Sequence, residues 1–346
     1  MVIARLVGAS LIFAAGAATI YVSAQPVARK ALPAKNMTAE AKAYLDRAIA
    51  TFRDQHINAS KVDWSVLTQK AYAAAAGAKT DVDTYPAIRL VNAALGERHT
   101  FLVEPDLANV QKTGKIVGHS QPPALQLPEA VRLANEVGAV RLHGFQGTPE
   151  QAQLYSSTVE TKIKELQGQG VCKFVLDLSS DQGGNMYPMI QAVSGLLSEG
   201  VLGTVESAKG QSWPWGLMNG TVMAGNFIKS SAAQTPARQD SFPVAVIIGH
   251  STASAGELTA MSFEGRPVTR FFGAYTAGYV TANQSITLTD GAVIAMTSGW
   301  GLDRRGKKYV DSIRPDVPAD EGAQAVNAAL EWLSNQQCRS RIRRTA

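Results

Sequence analysis

Histidine is scarce in this chain and cysteine is nearly absent. Its 346 residues include 5 histidines and 2 cysteines. None falls into an HExxH or CxxC spacing, which excludes a metal centre built on those local ligand patterns. Two cysteines make no disulfide framework. Cys172 lies in the strand-like run VCKFVLDL and is expected to be a buried small hydrophobe. No internal repeat is visible. The net charge of +5 is modest and no basic stripe lies outside the tail CRSRIRRTA, which argues against a nucleic-acid partner. The tail, residues 337–346, reads as a solvated terminus. With an ordinary apolar content of 45% and a charged content of 18%, the chain is neither disordered nor fibrous in class.

What is present begins at the N-terminus. A single Arg5 precedes an uncharged, mostly apolar run from Leu6 to Val22, and Val22-Ser23-Ala24 places small residues where a signal peptidase needs them. Residues 1–24 are expected to be a signal peptide or a membrane anchor. The body would then be exported, periplasmic or secreted, with a possible membrane tether through residues 1–24. Residues 25–36 form a linker containing proline and lysine.

From Thr38, Ala41, Tyr44, Leu45, Ala48, Ile49 and Phe52 make one apolar stripe at helical spacing. TYPAIRLVNAALGE reads as another helix, with Pro86 near its start and Gly96 past its end. Residues 37–110 are expected to be a helical N-terminal domain and 111–135 a connecting loop. Over 136–336 strands alternate with helices. GAVRLHGF, CKFVLDLSS, FPVAVIIGH and TRFFGAYT read as strands, and QSITLTDGAVIAMTS as a hairpin around Asp290-Gly291. The class is α/β, a mostly parallel sheet covered by helices.

Three stretches carry chemistry. In GHSTASAGELTAMSF, Ser254 follows a strand and opens a helix, at the sheet edge where α/β folds place ligands. There it is a candidate nucleophile with the Ala255 N–H as oxyanion donor; the bland alternative is a helix N-cap. In VLDLSSDQGGNMYP, Gly183 and Gly184 permit close backbone approach, without Walker or dinucleotide spacing. A second oxyanion donor, or a substrate-strand edge near Asn185, fits them. In GERHTF, His99 is a candidate base, with His250 as its rival. Trp213 and Trp215, in SWPWG, are read as a loop that lines a substrate groove or packs as a lid.

The order ERHT, LDLSSDQGGN, VAVIIGHSTASAGE, GAYTAGYVTANQ and YVDSIRPD resembles the C-terminal processing peptidases, including their tricorn-like and retinoid-binding-protein-like members. The resemblance covers about Leu95 to Pro318 and implies a crotonase-like core. It places Ser254 as nucleophile, and Ala255 with a glycine of Gly183-Gly184 as oxyanion hole. Two departures follow. Tyr279 stands where the Ser–Lys members carry lysine, and a phenol near its usual pKa of about 10 is a poor base. The interval before AVRLHGF leaves no room for a PDZ module. Both departures point to the tricorn-like branch, in which His99 is the base and a distal acid orients it. Asp311 is the first choice for that acid, with Asp303 and Glu257 as rivals. Arg98 replaces the small hydroxyl residue of that branch.

The expectation is therefore an exported serine peptidase acting on peptides or protein tails through an acyl-enzyme, without a cofactor. Tyr279, Asn185, Trp213 and Trp215 are its candidate substrate contacts. The alternatives are an inactive peptide- or ligand-binding relative, and an esterase or amidase.

Overall fold

In the first helix, α1 (Ala39–Gln55), the Thr38 hydroxyl accepts a hydrogen bond from the Ala41 N–H at 3.2 Å, a side-chain cap that fixes where the helix starts. Its buried residues are the six of the expected stripe. The computed structural model describes residues 36–115, 117, 124–134, 136–225 and 242–338. The expected signal or anchor, the linker up to Lys35 and the tail after Cys338 lie outside the described residues. Among the described residues no helix is long and apolar enough to cross a membrane.

Helices α1, α2 (Trp64–Ala74) and α3 (Tyr85–Ala94) share a core with Ala292, Ile294 and Met296. The last two belong to β11 (Val293–Asp303), so the helical layer lies against a sheet. That sheet runs β1 (Phe101–Val103), β11, β5 (Gly200–Ser207), β6 (Ser212–Met218) and β7 (Thr221–Ala224). Strand β10 (Thr281–Thr287) pairs antiparallel with β11. Between β1 and the next sheet lies α4 (Pro105–Thr113).

The second sheet has the order β12 (Val317–Pro318), β9 (Thr269–Gly273), β8 (Val244–Ile248), β4 (Lys173–Asp177), β3 (Val137–Arg141) and β2 (Glu129–Ala134). All its neighbours are parallel except β2 and β3. Strands β4 and β8 are buried at every residue, as their continuous apolar runs require. One face packs with α5 (Pro149–Gly168), α6 (Met186–Ala192) and α7 (Ala255–Met261). The other carries α8 (Ala323–Ser334), through Ala325, Ala329 and Leu333. Asp177 pairs with Ile247, so β4 and β8 end side by side and the segments after them emerge at one edge.

Three expectations are corrected. The stretch read as a connecting loop contains β2, an edge strand whose exposed, mixed-polarity face hides the usual alternation. SWPWG is strand β6, and Trp215 is 2% exposed in the core, its indole N–H donating to the Ser262 hydroxyl, while Trp213 is 47% exposed. Cys172 is only half-buried and forms a disulfide with Cys338, 166 residues away, which clasps the end of the last helix to the start of β4.

Candidate active site

The segment after β8 turns sharply into α7, and Ser254 sits at that turn with φ 53° and ψ −116°. A positive φ is unfavourable for any side chain with a Cβ, and such residues gather at functional sites. Two bonds hold the turn. The Ser254 N–H donates to Glu257 Oε2 at 2.9 Å, and the Ala253 N–H donates to the Asp181 carbonyl at 2.9 Å.

His99 arrives from the other sheet, on the loop between α3 and β1. Its Nε2 lies 2.8 Å from Ser254 Oγ and its Nδ1 2.8 Å from Thr281 Oγ1, on β10. A base at Nε2 requires the proton on Nδ1, so Nδ1–H donates to Thr281. Burial holds the His99 pKa down at about 4 despite the nearby Glu97 carboxylate, so the imidazole is neutral at pH 7. Asn283 Nδ2 donates to the His99 carbonyl at 2.6 Å.

Glu97 fixes the loop beneath. It accepts from His56 Nε2 (3.0 Å), the Thr100 N–H (3.0 Å), the His99 N–H (2.6 Å) and the Thr297 hydroxyl (3.1 Å). Burial alone would raise its pKa, but these donors lower it to about 2.

Facing this loop, the glycine loop after β4 closes the other side. A Cβ on Gly183 would lie 2.6 Å from the Ala253 carbonyl and 2.9 Å from Ser254 Cβ; one on Gly184 would lie 2.0 Å from the Phe145 carbonyl. Both glycines have positive φ. The Gly183 N–H donates to Asp181 Oδ1 at 2.9 Å, so it is already engaged and is not a free oxyanion donor, contrary to expectation for that residue. Among the described residues the N–H groups of Gly184 and Ala255 donate to no partner, and Ala255 heads α7, where helix N–H groups are left open.

Asp311 is exposed, and the His99 ring is bonded to Thr281 rather than to any carboxylate. The structure therefore does not bring Asp311 to His99. Asp303 is buried in the turn after β11, accepting from the N–H groups of Arg305 and Lys307. Glu257 binds the Ser254 N–H, the Thr276 hydroxyl and the Gly278 N–H, and burial raises its pKa against those bonds. His250 is exposed and its N–H is held by Glu321. The Tyr279 ring meets the His99 ring at 5.1 Å between centroids, tilted by 55°, with the Arg98 guanidinium 5.7 Å from the tyrosine ring.

Thr281, Glu97 and Asp181 were not singled out by sequence. Glu97 stands two residues before His99, the spacing that lets a carboxylate bind the histidine N–H. Thr281 carries no such local signal.

A cleft of about 600 Å³ opens on the His99 side of Ser254, lined also by Arg98, Gln146 and Asn185. One of about 710 Å³ opens beyond it, with Tyr187, Trp213 and Leu258. Strand β10 borders both, and among the described residues it pairs with β11 alone. Trp215 contributes no wall.

Residues 136–319 match Peptidase family S41. The chain is 30% identical over 276 residues to the nisin-resistance protein of Lactococcus lactis subsp. lactis, covering 79% of this chain and 81% of that protein. Among solved structures, a lipoprotein from Streptococcus agalactiae superposes with a TM-score of 0.69 at 22% identity, over 85% of this chain and 96% of that one. The photosystem II D1 C-terminal processing protease gives a TM-score of 0.56 at 17% identity, over 82% and 94%. The two structural likenesses are likenesses of fold. With the matched residues spanning both β4 and the Ser254 turn, the chain belongs to peptidase family S41 and is a serine-type peptidase.

Proposed function

We propose that this protein is an exported serine peptidase that cleaves peptides through an acyl-enzyme at Ser254, with His99 as its general acid and base. The observation that carries this reading is the 2.8 Å approach of a neutral, buried His99 Nε2 to Ser254 Oγ at a strained strand-to-helix turn. Ser254 Oγ attacks the substrate carbonyl carbon as its proton passes to Nε2. The Gly184 and Ala255 N–H groups receive the oxyanion. His99 returns the proton to the leaving amine, and water, deprotonated by the same nitrogen, releases the acyl group. Thr281 and not a carboxylate orients the ring.

A peptide rather than a small ester fits a cleft that runs past Ser254 on both sides. The free edge of β10 offers backbone groups to an extended chain. Export agrees with the disulfide, a bond typical of oxidising compartments, and with the lipoprotein and nisin-resistance relatives. Residues 1–24 supply the signal or tether in this reading.

The test is cleavage of a diverse peptide library, with nisin included, by residues 25–346 beside Ser254→Ala and His99→Ala proteins. Turnover lost in both variants supports the reading. Turnover of esters alone would make the protein an esterase. A folded protein that turns over neither would be a peptide-binding relative.

A further inference from the structure

Asp181 is 0% exposed. One carboxyl oxygen, Oδ1, takes the Gly183 N–H, and the other, Oδ2, has no partner among the described residues. Asp181 also holds both halves of the oxyanion site. Its carbonyl binds the Ala253 N–H, just before the nucleophile, and its carboxyl binds Gly183, just before Gly184. The side chain fills the space that Gly256 leaves open: a Cβ there would lie 3.0 Å from Asp181 Cγ. A buried carboxylate with one donor and no cation is costlier than a buried carboxylic acid in the same place.

We propose that Asp181 is a positioning residue that works as the neutral acid, holding Gly183 so that the Gly184 N–H stays free for the acyl oxygen, and that its ionisation switches acyl transfer off. This inference rests on the peptidase reading above. A negative charge on the buried Asp181, behind the donors, opposes the negative charge that develops on the acyl oxygen.

The titratable groups on the surrounding elements each have partners of their own. Tyr155 on α5 donates its hydroxyl to the His143 carbonyl. Glu257 on α7 is bound to Ser254, Thr276 and Gly278. Asp177 at the end of β4 pairs with Arg141. No ion pair reaches Asp181 among the described residues. Burial accordingly raises its pKa to about 7, against the Gly183 bond.

The experiment follows Ser254 labelling by a fluorophosphonate from pH 5 to 9.5, in the parent, Asp181→Asn and Asp181→Ala proteins. The carboxyl carbon of Asp181 is titrated in parallel by NMR of ¹³C-labelled aspartate. Asparagine keeps the acceptor for Gly183 and cannot ionise. The expected result is a labelling rate in the parent that falls at least tenfold from pH 6 to pH 9, a fall that Asp181→Asn abolishes. Asp181→Ala should label at least tenfold more slowly at every pH, with Asp181→Asn restoring the rate at pH 6. The ¹³C titration should show a midpoint near neutrality. Identical pH profiles in the parent and Asp181→Asn, or a carboxyl already ionised at pH 5, would overturn the role and leave the peptidase reading standing. A parent that is never labelled, though folded by circular dichroism, would overturn both.

Discussion

Ser254 stands between two loops that each bury a carboxyl group, and the two groups are treated in opposite ways. In the histidine loop, four donors converge on Glu97 and hold it ionised. In the glycine loop a single N–H reaches Asp181, and burial prevails. Burial alone therefore does not set the charge of a carboxyl; it is weighed against the donors that reach it, and at Glu257 it prevails even over three. In the proposed reaction this sets an anion on the side where an imidazolium would form and, below about pH 7, a neutral acid on the side where an oxyanion would form.

The largest effect is expected from removing the anion. Glu97→Ala strands the Nε2–H of the buried His56 and two backbone N–H groups, while the Thr297 hydroxyl keeps Asn283 Oδ1 as acceptor. It should cost about 3–5 kcal/mol of stability in urea denaturation and about 100-fold or more in kcat/KM. Activity within threefold of the parent would show that the loop holds His99 without it. Next, Thr281→Val leaves Nδ1–H without its acceptor, and kcat should fall by roughly 10- to 100-fold while KM barely moves, by analogy with losing the group that orients a catalytic histidine. An unchanged kcat would remove Thr281 from the site.

Acid should separate the loops further. The folded pKa of His99, about 4, lies below its unfolded value near 6.5, so the unfolded chain binds more protons between the two. Stability should fall as pH drops through that window, and the acid limb of kcat/KM should lie near pH 4. An acid limb at pH 6.5 would mean that His99 is hydrated. The sign reverses for Asp181. Its folded pKa is raised, so its contribution is fully present below about pH 4 and is lost as pH rises toward 7. Asp181→Asn should therefore melt a few degrees above the parent at pH 8 and level with it at pH 4, in scanning calorimetry. Equal melting at both pH values would place Asp181 among ordinary carboxylates. The smallest effect is expected at Tyr279, which meets His99 through its ring. Tyr279→Phe should stay within about twofold of the parent, since the ring is kept, and Tyr279→Lys should not exceed it in the same peptide assay.

Much of this was readable from the chain. The α1 stripe, the hairpin at Asp290-Gly291 and the Ser254 turn are local patterns, and each formed as its spacing required. The sheet that carries β10 was less legible, because β5 to β7 are interrupted by glycine, proline and exposed serine. Thr281 became visible only when β10 met the histidine loop, since a neutral hydroxyl has no sequence signature as an orienting group. The same gap explains Asp311: the resemblance supplied a carboxylate where the structure sets a threonine against His99 Nδ1. Likewise, pairing Cys172 with Cys338 depends on α8 returning to the start of β4, which no local pattern encodes.

The backbone of Ser254 also bears on how the protein can change. A residue with a Cβ held at φ 53° stores strain, typically about 1–3 kcal/mol, that glycine would release. A single Ser254→Gly replacement would thus be rewarded with a more robust fold at the moment it removed the proposed nucleophile. Thermostability screens run without an activity assay would enrich dead variants at this position, and lineages released from selection for turnover would drift the same way.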